Sequence, residues 1–125
     1  MANIGIDLGT THSLVAVVLG GKARCLLDDD ERTLLPSAVR YGDDGVPTAV
    51  GYPALALAGA PDGVTFTSVK RFMGRAPAEV AAEADLFKYA LDETDDRVVR
   101  FRVGERAVTP MEISSFILRL LHSRA

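Results

Sequence analysis

The sequence lacks the features that mark secreted, nucleic-acid-binding and membrane proteins. Cys25 is its only cysteine, so no internal disulfide can form, which is usual for reducing compartments. The net charge is −3, so the basic surface that nucleic acids attract is missing. No stretch approaches the roughly 18 consecutive apolar residues of a membrane span, and the N-terminus lacks a signal-peptide pattern. We therefore expect a cytoplasmic protein that binds neither nucleic acid nor membrane.

What the sequence does contain is the composition of an ordinary globular domain, with 48% apolar and 25% charged residues. Its length of 125 residues suits one domain. Cys25 lies in an apolar run over residues 23–27. The expectation for such a cysteine is a buried and unreactive thiol.

The N-terminal region predicts an antiparallel meander of three strands. Apolar residues alternate with glycine or aspartate over residues 3–8, which is the period of a strand with one buried face. Residues 13–19 are rich in β-branched side chains, and the glycine pair at 20–21 is a hairpin signal. A third strand follows over residues 23–28.

The middle of the chain predicts short strands and short helices. They are strands over 37–41 and 46–51, helices over 53–60, 69–73 and 77–84, and a hairpin over 98–108. Ser68 is the predicted N-cap of the helix over 69–73.

The last helix begins at a strong start signal. Thr109 stands as N-cap before a proline, and Glu112 follows at the third position, as in a capping box. Its apolar stripe consists of Ile113, Phe116, Ile117 and Leu120. No strand follows to cover this stripe, so we expect the chain to be the first part of a longer protein. An uncovered apolar face also favours dimerisation of the chain.

The turn after the first strand is the main functional candidate. Strand interiors rarely carry aspartate, yet Asp7 lies in the strand that leads into Gly9, Thr10 and Thr11. Glycine lets backbone approach a phosphate closely, and successive N–H groups form an anion-binding nest that the threonine hydroxyls extend. A carboxylate one pleat away suits Mg²⁺ held largely through water. A Gly-Thr-Thr turn is also an ordinary hairpin tip, so the motif alone leaves both interpretations open.

Lys70 and Arg71 form a second candidate. A Lys-Arg pair is usually a solvated face. A lysine brought to a phosphate and Mg²⁺ site stabilises the charge of a transferring γ-phosphoryl group. The residues alone favour the solvated face.

Several separated blocks resemble one family. The blocks IGIDLGTTHSLVAVV, RTLLPSAVRY, AVGYPA, TSVKRFMGR and VTPMEISSFIL are similar, in order and spacing, to the N-terminal part of the seventy-kilodalton heat-shock chaperones. The segments LLPS and TSVKRFMGR resemble the HscA-type subgroup, which serves bacterial iron–sulfur cluster assembly. The resemblance covers essentially the whole chain.

The resemblance implies an α/β fold that forms part of one lobe of an actin-like (ribonuclease H-like) ATPase domain. The inner subdomain would hold residues 1–36 and 109–125, and an inserted α+β outer subdomain would hold residues 37–108. By motif position, Asp7 is implied as the Mg²⁺-side acid and Lys70 as the lysine needed for hydrolysis. The other implied nucleotide-binding residues are Gly9, Thr10, Thr11 and His12.

The resemblance also implies the partners. They are ATP or ADP with Mg²⁺ and, in the full protein, client peptides, a J-domain co-chaperone and a nucleotide exchange factor. Because the second phosphate loop and the adenosine pocket of the family lie outside these residues, we expect no ATP hydrolysis by them alone. Two alternatives from the same superfamily are a sugar-kinase-like phosphotransferase and an actin-like filament protein. The TSVKRFMGR block favours the chaperone.

Overall fold

The computed structural model describes residues 3–92, 94 and 97–125. These residues form three antiparallel sheets and three α-helices. Along the chain the elements are β1 (Ile4–Leu8), β2 (His12–Leu19), β3 (Lys22–Cys25), β4 (Leu35–Pro36), β5 (Ala38–Gly42), β6 (Pro47–Val50), α1 (Tyr52–Ala56), β7 (Gly63–Thr67), a 3₁₀ helix (Val69–Phe72), α2 (Pro77–Leu86), β8 (Phe101–Val103), β9 (Arg106–Val108) and α3 (Pro110–Ser123). In this described part of the chain, none of the helices has the length and apolarity to span a membrane.

The predicted meander is confirmed. Strand β2 pairs antiparallel with β1 on one side and with β3 on the other. Gly20 and Gly21 make the second turn with φ angles of 56° and 77°, a left-handed backbone that favours glycine. The short strand β4 pairs with the beginning of β2, beside the first turn. The end of β1 and the Leu-Pro-Ser segment are therefore neighbours.

The expectation that Cys25 is buried is wrong. All four residues of β3 are exposed, and the thiol is free and exposed with them. The apolar run over residues 23–27 begins in this edge strand, where an apolar side chain is not automatically covered.

The second sheet contains a strand that the sequence reading missed. Its order is β6-β5-β7, and β7 runs directly into the 3₁₀ helix. The predicted turn at residues 62–63 is correct, but the β-branched and aromatic residues after it continue as a strand paired along all of β5. Helix α1 is shorter than predicted and ends at Ala56.

Ser68 does not act as the predicted cap. Its backbone adopts the left-handed conformation (φ 56°, ψ 30°), and its side chain makes no capping hydrogen bond. The predicted helix over 69–73 is a single 3₁₀ turn. Ser68 instead turns the chain sharply between β7 and that helix.

Thr109 caps α3 as predicted, because its hydroxyl accepts a hydrogen bond from the Glu112 amide at 3.1 Å. The second half of the capping box is replaced by tertiary contacts. The Glu112 carboxylate accepts a hydrogen bond from the Tyr41 hydroxyl at 2.8 Å and lies 3.3 Å from Arg106. These contacts connect α3 to the second sheet and the β8–β9 hairpin.

One buried cluster joins the first two sheets, the β8–β9 hairpin and all but one of the helices. Its largest members, each under 2% exposed, are Tyr41, Phe66, Phe72, Phe101, Ile113, Ile117 and Leu121. Phe72 from the 3₁₀ helix meets Phe101 edge to face, with ring centroids 5.2 Å apart. The segment that carries Lys70 is thus anchored in the core.

Replacing Tyr41 by phenylalanine is expected to lower the free energy of unfolding by about 2 kcal/mol, since a hydrogen bond to a charged group contributes about 1.5–3 kcal/mol. Tyr41 is fully buried, whereas the Glu112 side chain is 33% exposed, so water replaces part of the lost contact and the expected loss lies in the lower part of this range. Urea unfolding at neutral pH measures the loss. Tyr52→Phe is the control, because the Tyr52 hydroxyl has no hydrogen-bond partner among the described residues. Equal losses in the two variants would contradict this expectation.

The same pair predicts a pH dependence. Burial, and then the hydrogen bond to Glu112, raise the pKa of Tyr41 above its ordinary value. The neutral phenol therefore contributes stability below the unfolded pKa of about 10, and this contribution is lost as the pH rises further. The free energy of unfolding should fall above about pH 10, and less steeply in Tyr41→Phe.

Candidate functional site

The turn between β1 and β2 can be closed only by a residue without a side chain at position 9. Leu8 pairs with Ser13, and residues 9–11 connect the two strands. A Cβ atom on Gly9 would stand 2.1 Å from the carbonyl oxygen of His12, far inside van der Waals contact. The shape of the turn therefore requires glycine at position 9, whether or not a ligand binds there.

Ser37, which follows β4, ties this turn to the body of the protein. Its hydroxyl donates to the carbonyl of Gly9 at 3.0 Å and lies 2.9 Å from the hydroxyl of Ser13. Its backbone amide donates to the carbonyl of Thr11 at 2.8 Å. Sequence reasoning used this serine only as part of a family block and assigned it no role, since the contact with Gly9 spans 28 residues.

Thr10, Thr11 and His12 lie at least partly at the surface. Thr10 is half-buried, and neither its amide nor its hydroxyl has a hydrogen-bond partner among residues 3–92, 94 and 97–125. Thr11 and His12 are exposed, and the Thr11 hydroxyl lies 3.3 Å from Nδ1 of His12. A cavity of about 220 Å³ adjoins them, with Ser37 and Ser68 in its lining. The turn therefore offers free donors at its surface.

Asp7 is exposed near the end of β1. Its carboxylate makes no hydrogen bond or ion pair with any residue in the described part of the chain. Nor do the described residues contain a cluster of three or more side chains able to hold a metal ion. One free carboxylate fits a Mg²⁺ ion that keeps most of its water ligands, and does not fit an ion that needs several protein ligands.

Lys70 reaches this turn from a distant part of the chain. Its ammonium donates to the carbonyl of Leu8 at 2.8 Å across 62 residues of sequence. Leu8 stands between Asp7 and Gly9, so the lysine lies at the point where the acid and the turn meet.

Local packing explains why Lys70 points there. In the 3₁₀ helix, Val69 and Phe72 are 3% and 1% exposed, whereas Lys70 and Arg71 are exposed. With three residues per turn, the two buried side chains share one face and leave the two cations on the other. The expectation that Lys70 and Arg71 form only a solvated face is therefore incomplete, because Lys70 has a specific backbone partner.

Comparisons with known proteins identify the family of the chain. The family model for Hsp70 protein matches residues 3–125. The chaperone protein HscA homolog of Shewanella amazonensis is 42% identical over 122 residues, which is 98% of this chain and 19% of the relative. The HscA homologs of Acidithiobacillus ferrooxidans and Chromobacterium violaceum are each 46% identical, again over 98% of this chain and 19% of their own length.

A mixed α/β fold with antiparallel sheets and a candidate phosphate turn is consistent with part of a nucleotide-binding lobe. The chain belongs to the Hsp70 family and corresponds to the N-terminal part of its ATPase domain. It spans about a fifth of the length of the curated relatives that it matches. Members of this family are ATPases that bind nucleotide. The family match itself favours the chaperone over the sugar-kinase and filament alternatives.

Proposed function

We propose that these residues form the phosphate-binding part of an ATPase lobe in an Hsp70-type chaperone. The observation that carries the proposal is the hydrogen bond from Lys70 to the carbonyl of Leu8, which brings a cation to the junction of Asp7 and the Gly-Thr-Thr turn. An acid, free backbone and hydroxyl donors, and a lysine thus converge from two distant segments. This is the set of groups that phosphoryl transfer uses for positioning and charge stabilisation.

Each residue has a distinct part in this proposal. Gly9 gives the turn its close backbone approach, and Thr10 and Thr11 donate to phosphate oxygens. His12 lies beside them as a further nucleotide contact. Asp7 holds Mg²⁺ through water, and the bound ion would neutralise charge on the phosphates. Lys70 stabilises charge on the transferring γ-phosphoryl group and orients the attacking water.

The finer architecture is also a proposal. Residues 1–36 and 109–125 form the inner subdomain of an actin-like, ribonuclease H-like lobe, and residues 37–108 form its outer subdomain. The separation of the first sheet from the β6-β5-β7 sheet supports this division. The contact of α3 with both sheets is consistent with a helix that returns to the inner subdomain.

In a longer protein, ATP binding and hydrolysis would control peptide binding. The expected partners are client peptides, a J-domain co-chaperone and a nucleotide exchange factor, and the expected location is the bacterial cytoplasm. The relatives described above are all HscA homologs, which favours the HscA-type subgroup and a role in iron–sulfur cluster assembly.

A chimaera provides the test. In it, residues 3–125 replace the segment that they match in the full-length HscA homolog of Chromobacterium violaceum, which is 46% identical over that segment. We expect the chimaera to bind and hydrolyse ATP in the presence of Mg²⁺. A chimaera that folds like its parent but neither binds nor hydrolyses ATP would contradict the proposed function.

Asp7→Asn in the chimaera is expected to weaken Mg²⁺-dependent ATP binding about tenfold, because metal affinity falls about 10–100-fold when an outer-shell partner is lost. Binding measured in EDTA should not weaken, since the variant removes a charge that repels phosphate. Titration calorimetry with and without Mg²⁺ separates the two effects. Asp29→Asn is the matched control, because Asp29 is also exposed and has no partner among the described residues. A loss that is equal in EDTA would exclude a metal-linked role for Asp7.

A further inference from the structure

Ser37 and Ser13 form a buried hydroxyl pair directly beneath the Gly-Thr-Thr turn. Ser37 is 5% exposed and Ser13 is 1% exposed. The Ser37 hydroxyl donates to the carbonyl of Gly9 at 3.0 Å. A hydroxyl has one proton to give, so the 2.9 Å contact between the two serines must be a hydrogen bond from Ser13 to Ser37. The pair is therefore directional and ends at the turn.

Ser37 holds the turn at a second point through its backbone. Its amide donates to the carbonyl of Thr11 at 2.8 Å. One residue thus fixes two alternate carbonyls of the turn, those of Gly9 and Thr11. Ser37 is buried and Gly9 is half-buried, so a Gly9 carbonyl that lost this donor would be only partly compensated by water.

Fixing these carbonyls also fixes the amides that follow them. In a trans peptide group the C=O and the next N–H are coplanar and point in opposite directions. Because the carbonyls of Gly9 and Thr11 point toward Ser37, the amides of Thr10 and His12 point away from it. The Thr10 amide has no partner in the described part of the chain, so it is oriented before any ligand arrives.

We propose that Ser37 is a positioning residue, which orients the amides of the Gly-Thr-Thr turn toward the phosphates of the nucleotide. The inference rests on the proposed function, since it deepens the role of the same site. The serine touches no phosphate and acts only through the carbonyls that it holds. Preorganised donors lose less entropy and need less rearrangement when an anion binds.

Ser37→Ala in the chimaera is expected to weaken Mg²⁺–ATP binding about tenfold, which corresponds to the loss of one favourable hydrogen bond. Adenosine carries no phosphate, so its affinity should stay within about twofold of the unmodified chimaera. A purely structural role would weaken both ligands together. Ser37→Thr keeps the hydroxyl beside a cavity of about 220 Å³ and should restore ATP binding.

Thr65→Val is the matched control. The Thr65 hydroxyl is also buried and donates to a backbone carbonyl, that of Ala54, at 2.9 Å, but it lies in the second sheet. We expect Thr65→Val to leave the ratio of ATP to adenosine affinity unchanged. Ser13→Ala removes only the donor to Ser37, so we expect a smaller loss of ATP affinity, about threefold. This variant replaces Ser37→Ala in the test if Ser37→Ala does not fold.

The outcomes separate the two proposals. If the unmodified chimaera binds no ATP, the proposed function fails. If it binds ATP but Ser37→Ala and Ser13→Ala both bind like the unmodified chimaera, or lose ATP and adenosine affinity equally, the role of Ser37 is overturned while the proposed function stands.

Discussion

Replacing Lys70 by alanine in the chimaera should lower the rate of ATP hydrolysis by at least about a hundredfold, the usual effect of removing a group that stabilises transition-state charge. ATP affinity should change by less than about threefold if the lysine acts mainly in the transition state. The reason is geometric: the ammonium lies at the carbonyl of Leu8, between the acid and the phosphate turn. Single-turnover hydrolysis and equilibrium binding measure the two quantities separately.

Lys22→Ala is the control for charge. Lys22 is an exposed lysine on β3, where it pairs with Leu19 at the end of β2 opposite the Gly-Thr-Thr turn. Its removal should leave hydrolysis within about twofold of the unmodified chimaera, as expected for a surface change. Undiminished hydrolysis in Lys70→Ala, or equal effects of the two substitutions, would contradict a role for Lys70 in ATP hydrolysis.

Gly9→Val should have the second large effect. A Cβ atom would stand 2.1 Å from the carbonyl oxygen of His12, and backbone is not free to move as a flexible side chain is. The turn must therefore change shape, which breaks the bonds from Ser37 that hold it. We expect the free energy of unfolding of the isolated chain to fall by about 2–3 kcal/mol. In the chimaera, Mg²⁺–ATP affinity should fall by at least about thirtyfold, from the loss of more than one hydrogen bond.

Gly5→Ala provides the comparison for stability. Gly5 lies in β1, the strand that leads into the turn, and a Cβ atom added to it would have nothing within 4 Å among the described residues. In the isolated chain this variant should unfold within about 0.5 kcal/mol of the unmodified protein. If Gly9→Val were no more destabilising than Gly5→Ala, the close approach of the turn would be excluded as the reason for glycine.

The parts of the site that sequence reasoning reached are local. Asp7 and the Gly-Thr-Thr turn lie within a few residues of each other, and the alternation of β1 fixes which side the acid takes. The meander and the cap of α3 were predictable for the same reason, since each depends on neighbouring residues. Glu112 does not complete the capping box, because its carboxylate binds the Tyr41 hydroxyl instead. This contact could not be predicted from local sequence, since the two residues are 71 positions apart.

The parts that local reasoning could not reach depend on distant contacts. Lys70 alone resembles any solvated lysine, and its specific position follows from the burial of Val69 and Phe72 in a core assembled from the whole chain. The sequence around Ser37 likewise gives no sign of its role, which arises only because β4 pairs with the start of β2. The exposure of Cys25 depends on β3 being an edge strand, which a single sequence does not specify.

The two distant residues hold adjacent peptide groups of the same short segment. Lys70 binds the carbonyl of Leu8, and Ser37 binds that of Gly9, so consecutive peptide groups are held by the second sheet's flanking segments. The turn is therefore positioned by contacts across 62 and 28 residues as well as by its own hairpin. A rigid support of this kind suits a site that must hold phosphates in one geometry.

The crystal structure of the chimaera with Mg²⁺ and a non-hydrolysable ATP analogue tests the central claim most directly. The account expects phosphate oxygens at hydrogen-bonding distance, about 2.7–3.2 Å, from the Thr10 amide and the Lys70 ammonium, with Asp7 facing the metal through water. A nucleotide bound elsewhere, with the Gly-Thr-Thr turn and Lys70 both left in solvent, would contradict it.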